Sequence, residues 1–516
     1  MIGYQLGIQS SHRPDDLALV YGERRLSYAE LHARACRLAG ALAAQGVRPG
    51  DRVAALLHNC PQFLEALFAS AMLGALFVPI NFRLVAREVG LILDACTPKL
   101  LLAGEGFAEL LGRLKAHKSY PDQVYWIDDQ PPATATLPDT PFERWIAAHP
   151  ASEPATVVPP DAAQMLLYTS GTTGLPKGII FTHATALASS MAKIIDFSLT
   201  PQDVTVVFGP LFHAGPLMDL ALPLLLRGGR VVLGASRQFD PQSLMQTIAT
   251  QRGTVIPIYP TMLRRVLATP PDPGLDLSCL RLIITGGEAA PVPVIRGVHE
   301  RFPQAAFVNN YGSTESGPVT TFLAPEHSLR KIGSVGKESF GVQVRIVDSE
   351  GRALGAGEVG ELTVRGPFVC PGYWMRPEAT AAQWRNGWWY TGDLASRDDE
   401  GFLWIAGRSK DMVKSGAESI YPIEVEQVIA ALDGVLEVGV IGVPDPDWGE
   451  AVVAFVVRTP GSDVDAARII EHCRTHLASY KKPRHVRFVD SLPRGTTNKV
   501  AKNVLRTWWD LPANPG

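Results

Sequence analysis

A loop at residues 168–178 has the composition of a phosphate-binding site. It follows an apolar, strand-like run and contains three glycines, four Ser/Thr hydroxyls and one lysine. Glycines let the backbone approach an anion closely, successive N–H groups can point inward, and hydroxyls and a lysine add donors and a charge. The loop is not a Walker A motif, because Leu175 and Pro176 precede Lys177 where that motif needs a glycine. We therefore expect a phosphate cradle here and the rest of the nucleotide chemistry elsewhere in the chain.

The size and composition of the chain indicate a multidomain enzyme. At 516 residues it exceeds what one hydrophobic core usually organises, so two or more domains are expected. Hydrophobic residues make up 46% of the chain, charged residues make up 19%, and the formal net charge is −3. Because no polybasic face is evident, neither nucleic acid nor an anionic membrane is expected as a main partner.

Cysteine usage and the start of the chain favour a cytoplasmic protein. Six cysteines occur singly without a C-x-x-C pair, which argues against a disulfide framework and a zinc site. The N-terminus lacks the basic segment and apolar run of a signal peptide. The longest uncharged stretch, within residues 66–83, contains Gly74 and Pro79 and is too short to span a membrane. It predicts a helix leading into a buried strand, and no integral membrane association is expected.

Two series of short apolar runs must position the loop and its partners. Ser27 stands as the N-cap of a helix that continues through Leu42. Strand-like runs then alternate with helical patterns, which predicts an α/β fold with two lobes on largely parallel sheets. The runs lie at 52–57, 76–80, 99–102 and 123–127 in the first lobe and at 204–208, 230–233, 255–257 and 280–285 in the second.

The pattern changes after Glu315. Residues 341–348 and 358–365 are β-like and punctuated by glycine, which predicts a small β subdomain. From Arg408 onward a mixed pattern predicts a smaller, mobile α+β domain, with helices at 422–432 and 465–477 and strands at 438–443 and 452–457. The predicted division is an N-terminal domain at 1–407, a hinge at 408–411 and a C-terminal domain at 412–516. Residues 131–141, rich in proline and threonine, predict a surface loop.

Four further clusters follow in order along the chain. They are NNYGSTE at 309–315, WYTGD at 389–393, GRSKD at 407–411 and LPRGTTNK at 492–499. Together with the loop at 168–178, they resemble the adenylate-forming superfamily, which includes acyl- and aryl-CoA synthetases, adenylation domains of nonribosomal synthetases and firefly-type luciferases. The resemblance covers nearly the whole chain and favours the acyl-CoA synthetase branch, which contains the fatty-acid–CoA ligases. A lone Thr-Gly-Asp would mean little, whereas five ordered clusters ending in a lysine are specific.

The resemblance implies a two-step reaction with ATP, Mg²⁺ and CoA. A carboxylate attacks the α-phosphorus of ATP to give an acyl adenylate and pyrophosphate, and a thiol then displaces AMP. Catalysis of the first step is mainly positioning and charge neutralisation. Glu315 matches the carboxylate that holds Mg²⁺, and Thr314 matches the hydroxyl at the α-phosphate. The residues assigned to the β- and γ-phosphates are Thr169, Ser170, Gly171, Thr172, Thr173, Gly174 and Lys177.

The same resemblance assigns the nucleoside pocket and a catalytic lysine. Tyr311 matches the ring that stacks on adenine, and Asp393 matches the carboxylate that accepts from the ribose hydroxyls. Lys499 matches the C-terminal-domain lysine that bridges carboxylate and α-phosphate oxygens, where its charge stabilises the developing negative charge. The other residues assigned to this pocket are Asn310, the turn Gly286-Gly287-Glu288, and Arg408 near the ribose and phosphate.

The resemblance also implies a domain movement between the two steps. Lys410 matches the hinge position about which the C-terminal domain swings after adenylation. Lys414 and Gly416 fall in the segment that lines the pantetheine tunnel of CoA ligases. Two features depart from the family pattern. Asn498 replaces the glycine that commonly precedes the catalytic lysine, and Gly416-Ala417 and Ser419 stand where a Gly-Gly pair and a following asparagine are usual.

His213 bears on the acid that is activated. It matches a position at the acyl end of the site, where amino-acid-activating relatives usually carry an aspartate that pairs with the substrate ammonium. Because a histidine offers no such counter-charge at neutral pH, an α-amino acid is not expected. The first expectation is a medium- or long-chain fatty acid, and the alternative is an aryl or other small carboxylic acid.

Three other questions concern the acceptor, turnover and assembly. Transfer of the acyl group to a carrier protein is an alternative to CoA, although the compact interval from Glu315 to Tyr390 lacks the insertion common in such relatives. A nucleotide sensor without turnover would not need Lys499. The expected small-molecule partners are the carboxylic acid, ATP and CoA. The sequence leaves the assembly open, with a homodimer among the alternatives.

Overall fold

The structure is a computed structural model that describes residues 1–127, 142–169, 176–415, 418–495 and 499–510, apart from the side chain of Glu105. The surface loop expected at 131–141 lies outside these ranges. Within them, no helix combines the length and the apolar character that a membrane span requires.

The first lobe is built on a six-stranded sheet. Across the sheet its strands are Val124–Trp126, Leu100–Ala103, Arg52–Leu56, Leu76–Pro79, Ala163–Thr169 and Lys177–Thr182. All neighbours run parallel except the last pair, an antiparallel hairpin in which Thr169 faces Lys177. Apart from Arg52, the residues of the three central strands are apolar and buried, as expected when helices cover both faces of a parallel sheet. The hairpin holds both ends of the loop at 168–178.

The second lobe is built on a nine-stranded sheet. Across the sheet its strands are Lys337–Glu338, Thr321–Leu323, Ala306–Tyr311, Leu282–Thr285, Val255–Pro257, Val204–Val207, Arg230–Leu233, Leu17–Tyr21 and Arg24–Ser27. The inner neighbours run parallel, and the pairs at both edges run antiparallel. Leu19 pairs with Val231, so the two N-terminal strands join this lobe although the first lobe separates them from it in sequence. The sequence pattern carried no signal for that long-range pairing.

Helices cover both sheets of the N-terminal part. The predicted helix Tyr28–Ala44 is confirmed with a reciprocal cap, since Ser27 Oγ accepts from Glu30 N at 3.2 Å and Ser27 N donates to Glu30 Oε2 at 2.8 Å. The other α-helices are Ile2–His12, Pro61–Leu73, Ala86–Cys96, Ala108–Leu114, Phe142–Ala147, His183–Asp196, Leu222–Arg227, Pro241–Gln251, Pro260–Ala268, Val292–Arg301 and Pro377–Gln383. A π-helical segment, Pro216–Ala221, leads directly into Leu222–Arg227.

A five-stranded antiparallel sheet forms the expected β subdomain. Its strands are Gln343–Val347, Gly360–Arg365, Trp384–Arg385, Trp388–Arg397 and Leu403–Arg408. Asp393 pairs with Arg408 across the last two long strands of this sheet. The sheet therefore brings the WYTGD and GRSKD clusters side by side.

The C-terminal part is a smaller α+β unit. Its strands are Val413–Ser415, Glu418–Ile420, Val435–Asp445, Gly449–Arg458 and His485–Phe488, and its helices are Pro422–Ala430, Ala466–His476 and Lys502–Asp510. The helix expected at 465–477 begins one residue later because Asp465 is its N-cap and accepts from Arg468 N at 2.8 Å. The mixed α/β architecture, with a large N-terminal part and a smaller C-terminal part, is confirmed.

Candidate active site

The nucleoside pocket forms where two parallel strands end. The strands Leu282–Thr285 and Ala306–Tyr311 are neighbours in the second sheet and run in the same direction. Their carboxyl ends therefore place the turn at 286–288 beside Tyr311, at the edge of an α/β sheet where ligands bind. The residues at 286–288 and 309–315, which the sequence assigns to one pocket, therefore lie together.

The turn after Leu282–Thr285 needs its glycines. A β-carbon on Gly286 would lie 2.0 Å from Asn310 Oδ1, and Gly287 has φ +84, a conformation that favours glycine. Glu288 Oε1 accepts from the Thr261 backbone N–H at 3.1 Å, in the first turn of Pro260–Ala268. The turn is thus fixed to Asn310 on one side and to a helix N-terminus on the other.

Asp393 is held by two donors from different strands. Tyr311 Oη donates to Asp393 Oδ2 at 2.6 Å, and Arg408 Nε donates to Asp393 Oδ1 at 3.0 Å. Burial and the Asp393 charge raise the pKa of Tyr311 well above its usual range, so Tyr311 is a neutral donor. Each carboxylate oxygen can accept two hydrogen bonds, so one acceptor position on each remains for another donor such as a ribose hydroxyl.

Thr314 and Glu315 lie in a short 3₁₀ turn, Thr314–Ser316, which follows the strand Ala306–Tyr311. Tyr373 Oη donates to Glu315 Oε1 at 2.9 Å and also contacts the Gln383 side chain. The Cys370 N–H donates to the Glu315 carbonyl at 2.8 Å. The carboxylate is therefore oriented by a tyrosine that the sequence reasoning did not single out.

The described end of the phosphate loop contacts the same tyrosine. Lys177 Nζ lies 4.8 Å from the centre of the Tyr373 ring, within the range of a cation–π interaction. Thr169, at the other end of the loop, pairs with Lys177 across the hairpin. Of the residues predicted for phosphate, Ser170, Gly171, Thr172, Thr173 and Gly174 lie outside the described residues.

Lys499 reaches this cleft from the C-terminal part. Its loop is closed by a hydrogen bond from Gly495 N to the Lys499 carbonyl at 2.8 Å. Although Lys499 is exposed to solvent, desolvation in the cleft and the positive charge of Arg408 lower its pKa. Asp393, Glu288 and Glu315 act on its charge in the opposite sense. The charges of three carboxylates predicted for the nucleotide site thus act on the predicted catalytic lysine, while Asn498 lies outside the described residues.

His213 lies on another side of the same cleft. Burial lowers the pKa of His213 to about 3, and the positive charges of Arg83 and Lys499 act in the same direction. The imidazole is therefore neutral at physiological pH, as the sequence reasoning required. Its ring centre lies 4.2 Å from that of Phe212.

An aromatic cluster continues from His213 into the first lobe. Within it the ring centres of Phe212 and Phe82 are 4.9 Å apart, those of Phe82 and His58 are 4.4 Å apart, and those of His58 and Phe107 are 4.9 Å apart. We call His58, Phe82, Phe107 and Phe212 the aromatic cluster. None of these rings was singled out from the sequence, because single aromatic residues are usually core packing.

The predicted hinge connects the two parts through polar contacts. Ser409–Asp411 forms a 3₁₀ turn between strands of two different sheets. Burial lowers the pKa of Lys410, with added effects of the Arg408 and Arg506 charges, and Arg506 Nη2 donates to Asp411 Oδ1 at 3.1 Å. Lys414 is exposed, and its backbone N–H donates to Glu450 Oε2 at 2.6 Å. Gly416 and Ala417 lie outside the described residues.

The cleft thus combines cations and carboxylates suited to binding a polyphosphate and its metal ion. Lys177, Arg408 and Lys499 supply cations, and Glu315 and Asp393 supply carboxylates. Among the described residues, no group of three or more His, Cys, Asp and Glu side chains could hold a metal ion by itself. Magnesium is commonly held by one or two carboxylates together with waters and substrate phosphates.

Two family models match the chain. The model described as AMP-binding enzyme matches residues 8–374, and the model described as AMP-binding enzyme C-terminal domain matches residues 424–499. Together they include the loop at 168–178, Glu315 and Lys499, whereas Asp393 and Arg408 lie in the interval between the two matches.

Curated relatives match over nearly their whole length. A feruloyl-CoA synthase of Amycolatopsis sp is 39% identical over 96% of this chain and 96% of the relative. An indoleacetate–CoA ligase of Aromatoleum aromaticum is 38% identical over 96% and 95%. A long-chain-fatty-acid–CoA ligase of Mycobacterium tuberculosis is 37% identical over 93% and 93%.

Solved structures show the same architecture. An anthranilate–CoA ligase in complex with anthranoyl-AMP has a TM-score of 0.90 at 27% identity, covering 98% of this chain and 96% of the other. ATP-bound MatB from Rhodopseudomonas palustris has a TM-score of 0.89 at 31% identity, covering 99% of both chains. The chain therefore belongs to the AMP-binding enzymes and, within the adenylate-forming superfamily, to the acyl-CoA synthetase branch of AMP-forming acid–thiol ligases.

Proposed function

We propose that this chain is an ATP-dependent ligase that joins an aromatic carboxylic acid to CoA. The observation that carries the ligase reaction is the position of Lys499, which enters from the C-terminal part into the cleft that holds Asp393, Glu288 and Glu315. A binding protein would not need a lysine there, whereas transfer to an α-phosphorus would.

In the proposed first step, the substrate carboxylate attacks the α-phosphorus of ATP. The new acyl–oxygen–phosphorus linkage forms as the bond to pyrophosphate breaks, and Lys499 and Thr314 stabilise the charge on the oxygens involved. Asp393 holds the ribose hydroxyls with its remaining acceptor positions, while Tyr311, Asn310 and the turn at 286–288 contain the adenine. Lys177 and the loop before it hold the departing pyrophosphate.

A magnesium ion fits this proposal at Glu315. One oxygen of this carboxylate accepts from Tyr373, and magnesium is commonly held by one or two carboxylates together with substrate phosphates. When bound there, the ion would supply charge neutralisation for the phosphate groups. Tyr373 fixes the direction in which Glu315 presents its oxygens.

The second step is proposed to follow a rotation at Lys410. The CoA thiol, after losing its proton, attacks the acyl carbonyl, and AMP leaves. In the described position Lys499 occupies the cleft, so the C-terminal part has to withdraw before a thiol can approach. The proposed units are therefore 1–407, the hinge 408–411 and 412–516, with Lys414 and Gly416 on the path of the pantetheine arm. Leu403–Arg408 and Val413–Ser415 belong to different sheets, which supports this division.

The proposed substrate class replaces the fatty acid that was expected first. Relatives named for ferulate and indoleacetate are 39% and 38% identical, and one named for long-chain fatty acids is 37% identical. Because these values are close, the proposal also draws on the aromatic cluster. Its Phe212 ring lies beside His213, which is proposed at the acyl end of the site, and edge-to-face or offset contacts favour flat aromatic partners.

A panel of carboxylic acids tests the proposal. Pyrophosphate release is measured with ATP, magnesium and each acid, with and without CoA, for cinnamic, indoleacetic, benzoic, octanoic and palmitic acids. We expect the highest kcat/KM with an aryl acid and formation of its CoA thioester. A higher kcat/KM with octanoic or palmitic acid would contradict the substrate class, and acid-dependent pyrophosphate release without any thioester would contradict CoA as acceptor.

A further inference from the structure

An ion cluster joins the N-terminal part to the C-terminal part. Glu437 Oε1 accepts from Arg494 Nη2 at 2.7 Å and from Arg264 Nη1 at 3.3 Å. The three side chains are between 22% and 32% exposed, so solvent and salt screen their charges only in part. Arg264 lies in the helix Pro260–Ala268 of the N-terminal part, whereas Glu437 and Arg494 belong to the C-terminal part. One carboxylate oxygen therefore bridges the two parts.

The Arg494 backbone lies at the base of the loop that carries Lys499. Arg494 pairs with Val500 in an antiparallel bridge, and the Gly495 N–H donates to the Lys499 carbonyl at 2.8 Å. Val500 directly follows Lys499 in sequence. Because the two ends of the loop meet at this bridge, a contact that fixes Arg494 fixes both ends. Glu437, which holds the Arg494 guanidinium, therefore restrains the base of the loop.

The Arg264 side of the cluster is connected to the nucleoside pocket. In the first turn of Pro260–Ala268, the Thr261 N–H donates to Glu288 Oε1 at 3.1 Å. Arg264 is three residues further along the same helix, which places it about one turn beyond Thr261. The helix that carries Arg264 is thus fixed to the turn at 286–288.

The two contacts of Glu437 differ in what they join. The contact with Arg494 lies within the C-terminal part and moves with it, whereas the contact with Arg264 crosses between the two parts. A rotation at the proposed hinge would separate Glu437 from Arg264 and leave the pair with Arg494 intact. The crossing contact therefore belongs to the arrangement in which Lys499 occupies the cleft.

We infer that Glu437 is a positioning residue for Lys499, and that its contact with Arg264 holds the C-terminal part in the arrangement that forms the adenylate. This inference rests on the proposed function and concerns its first step. Glu437 acts through Arg494 and the loop that follows it, and not on the reacting atoms. Charged contacts across an interface fix its register more than they add affinity. The crossing contact therefore selects one arrangement and still lets the C-terminal part withdraw for the thiol step.

Separate measurement of the two half-reactions tests this role. Arg264→Gln removes the crossing contact and keeps Glu437 paired with Arg494. The rate of acid-dependent pyrophosphate release at saturating ATP should fall at least roughly fivefold, the lower end of typical coupling between sites, with the KM for ATP retained. Thioester formation from a supplied acyl adenylate and CoA should be at least as fast as in the wild type, because no crossing contact has to break. Unchanged pyrophosphate release, or an equal fall of both half-reactions, would overturn the inference.

A double variant tests whether the two residues act through one contact. Glu437→Gln should lower the rate of pyrophosphate release at least as much as Arg264→Gln, because it also weakens the contact with Arg494. The double variant Arg264→Gln/Glu437→Gln should release pyrophosphate at the rate of Glu437→Gln alone, since the crossing contact can be lost only once. Losses that multiply in the double variant would show that the residues act independently and would overturn the inference.

The matched control is Arg265→Gln on the same helix. The Arg265 guanidinium lies 5.2 Å from the centre of the Phe239 ring, within the N-terminal part, so this variant should keep wild-type rates in both half-reactions. A fall of pyrophosphate release equal to that of Arg264→Gln would assign the effect to the helix and overturn the inference. If the wild-type protein releases pyrophosphate with no acid of the panel, the proposed function fails and the inference fails with it. An active wild type with unaffected variants overturns the inference alone.

Discussion

At the residue scale, the position of Lys499 is the reason for assigning transition-state stabilisation to a residue distant in sequence from the phosphate loop. Desolvation and the charge of Arg408 lower the pKa of Lys499, and the charges of Asp393, Glu288 and Glu315 oppose that effect. These carboxylates offset the repulsion between the two cations, and a bound triphosphate would add further negative charge. In the proposed reaction, the loop around Lys177 aims ATP and Lys499 stabilises the transferring group.

Removing the Lys499 ammonium should block the first half-reaction. We predict that Lys499→Ala lowers the rate of acid-dependent pyrophosphate release by about 10²–10³-fold or more, the usual cost of losing one transition-state donor. ATP binding, measured by calorimetry, should be largely retained because Asp393, Tyr311 and Lys177 remain. The matched control is Lys482→Ala, since Lys482 is hydrogen-bonded within its own turn. Undiminished pyrophosphate release in Lys499→Ala would refute the assigned role.

His213 makes a second prediction at this scale. Its pKa is about 3, so the imidazole is already neutral at pH 5 and does not titrate as the pH rises to 8. The plot of kcat/KM for the acid against pH should therefore show no limb at the ordinary histidine value near 6.5. Profiles of wild type and His213→Ala should have the same shape between pH 5 and 8. A limb near 6.5 that is absent in the variant would show that His213 titrates in that range.

The sequence could indicate residues whose role is tied to a motif. Tyr311, Asp393, Arg408 and Lys499 stand in ordered clusters, and the structure brings all four to one cleft. Tyr373 could not be found in this way. Its significance depends on what it faces in space, and its contact with Glu315 leaves no trace in local sequence.

At the element scale, a buried ion network joins three helices of the first lobe. Arg34 on Tyr28–Ala44 donates to Glu65 at 2.7 and 3.0 Å and to Glu143 at 2.6 and 2.7 Å. Glu65 is fully buried. Such a network adds little stability compared with a well-packed hydrophobic replacement. Removal of one partner is costly, however, because it leaves a buried charge without its counter-charge.

Arg34→Met should therefore destabilise the protein strongly. We predict a loss of about 3–5 kcal/mol in the stability of this region, seen as a large fall of the thermal unfolding midpoint. The control is Arg252→Met, which removes an exposed ion pair with Asp276 and should cost about 1 kcal/mol or less. Equal falls of the midpoint in the two variants would contradict the account of the network.

Local signals located the elements but not all their partners. The cap at Ser27 and the apolar runs predicted the helix Tyr28–Ala44 and the central strands, because these signals act over a few residues. The pairing of Leu17–Tyr21 with Arg230–Leu233 was not foreseen. A strand pattern indicates which residues are buried. It carries no information on which distant strand pairs with them.

At the scale of the whole molecule, the hinge is proposed to separate the two half-reactions. Lys410→Pro removes rotational freedom at this position, because proline fixes φ near −65°. We predict that this variant retains acid-dependent pyrophosphate release and loses thioester formation at least about tenfold. Lys410→Ala removes the same ammonium and keeps backbone freedom, so it should form the thioester faster than Lys410→Pro. A parallel loss of both half-reactions in Lys410→Pro would count against the hinge.

The products formed from ATP test the central claim most directly. An aryl acid that supports turnover is incubated with the protein, ATP and magnesium, and the products are identified by mass spectrometry before and after CoA is added. The account predicts acyl adenylate and pyrophosphate before CoA, and acyl-CoA with an equal amount of AMP after it. ADP and an acyl phosphate in place of these products would contradict it.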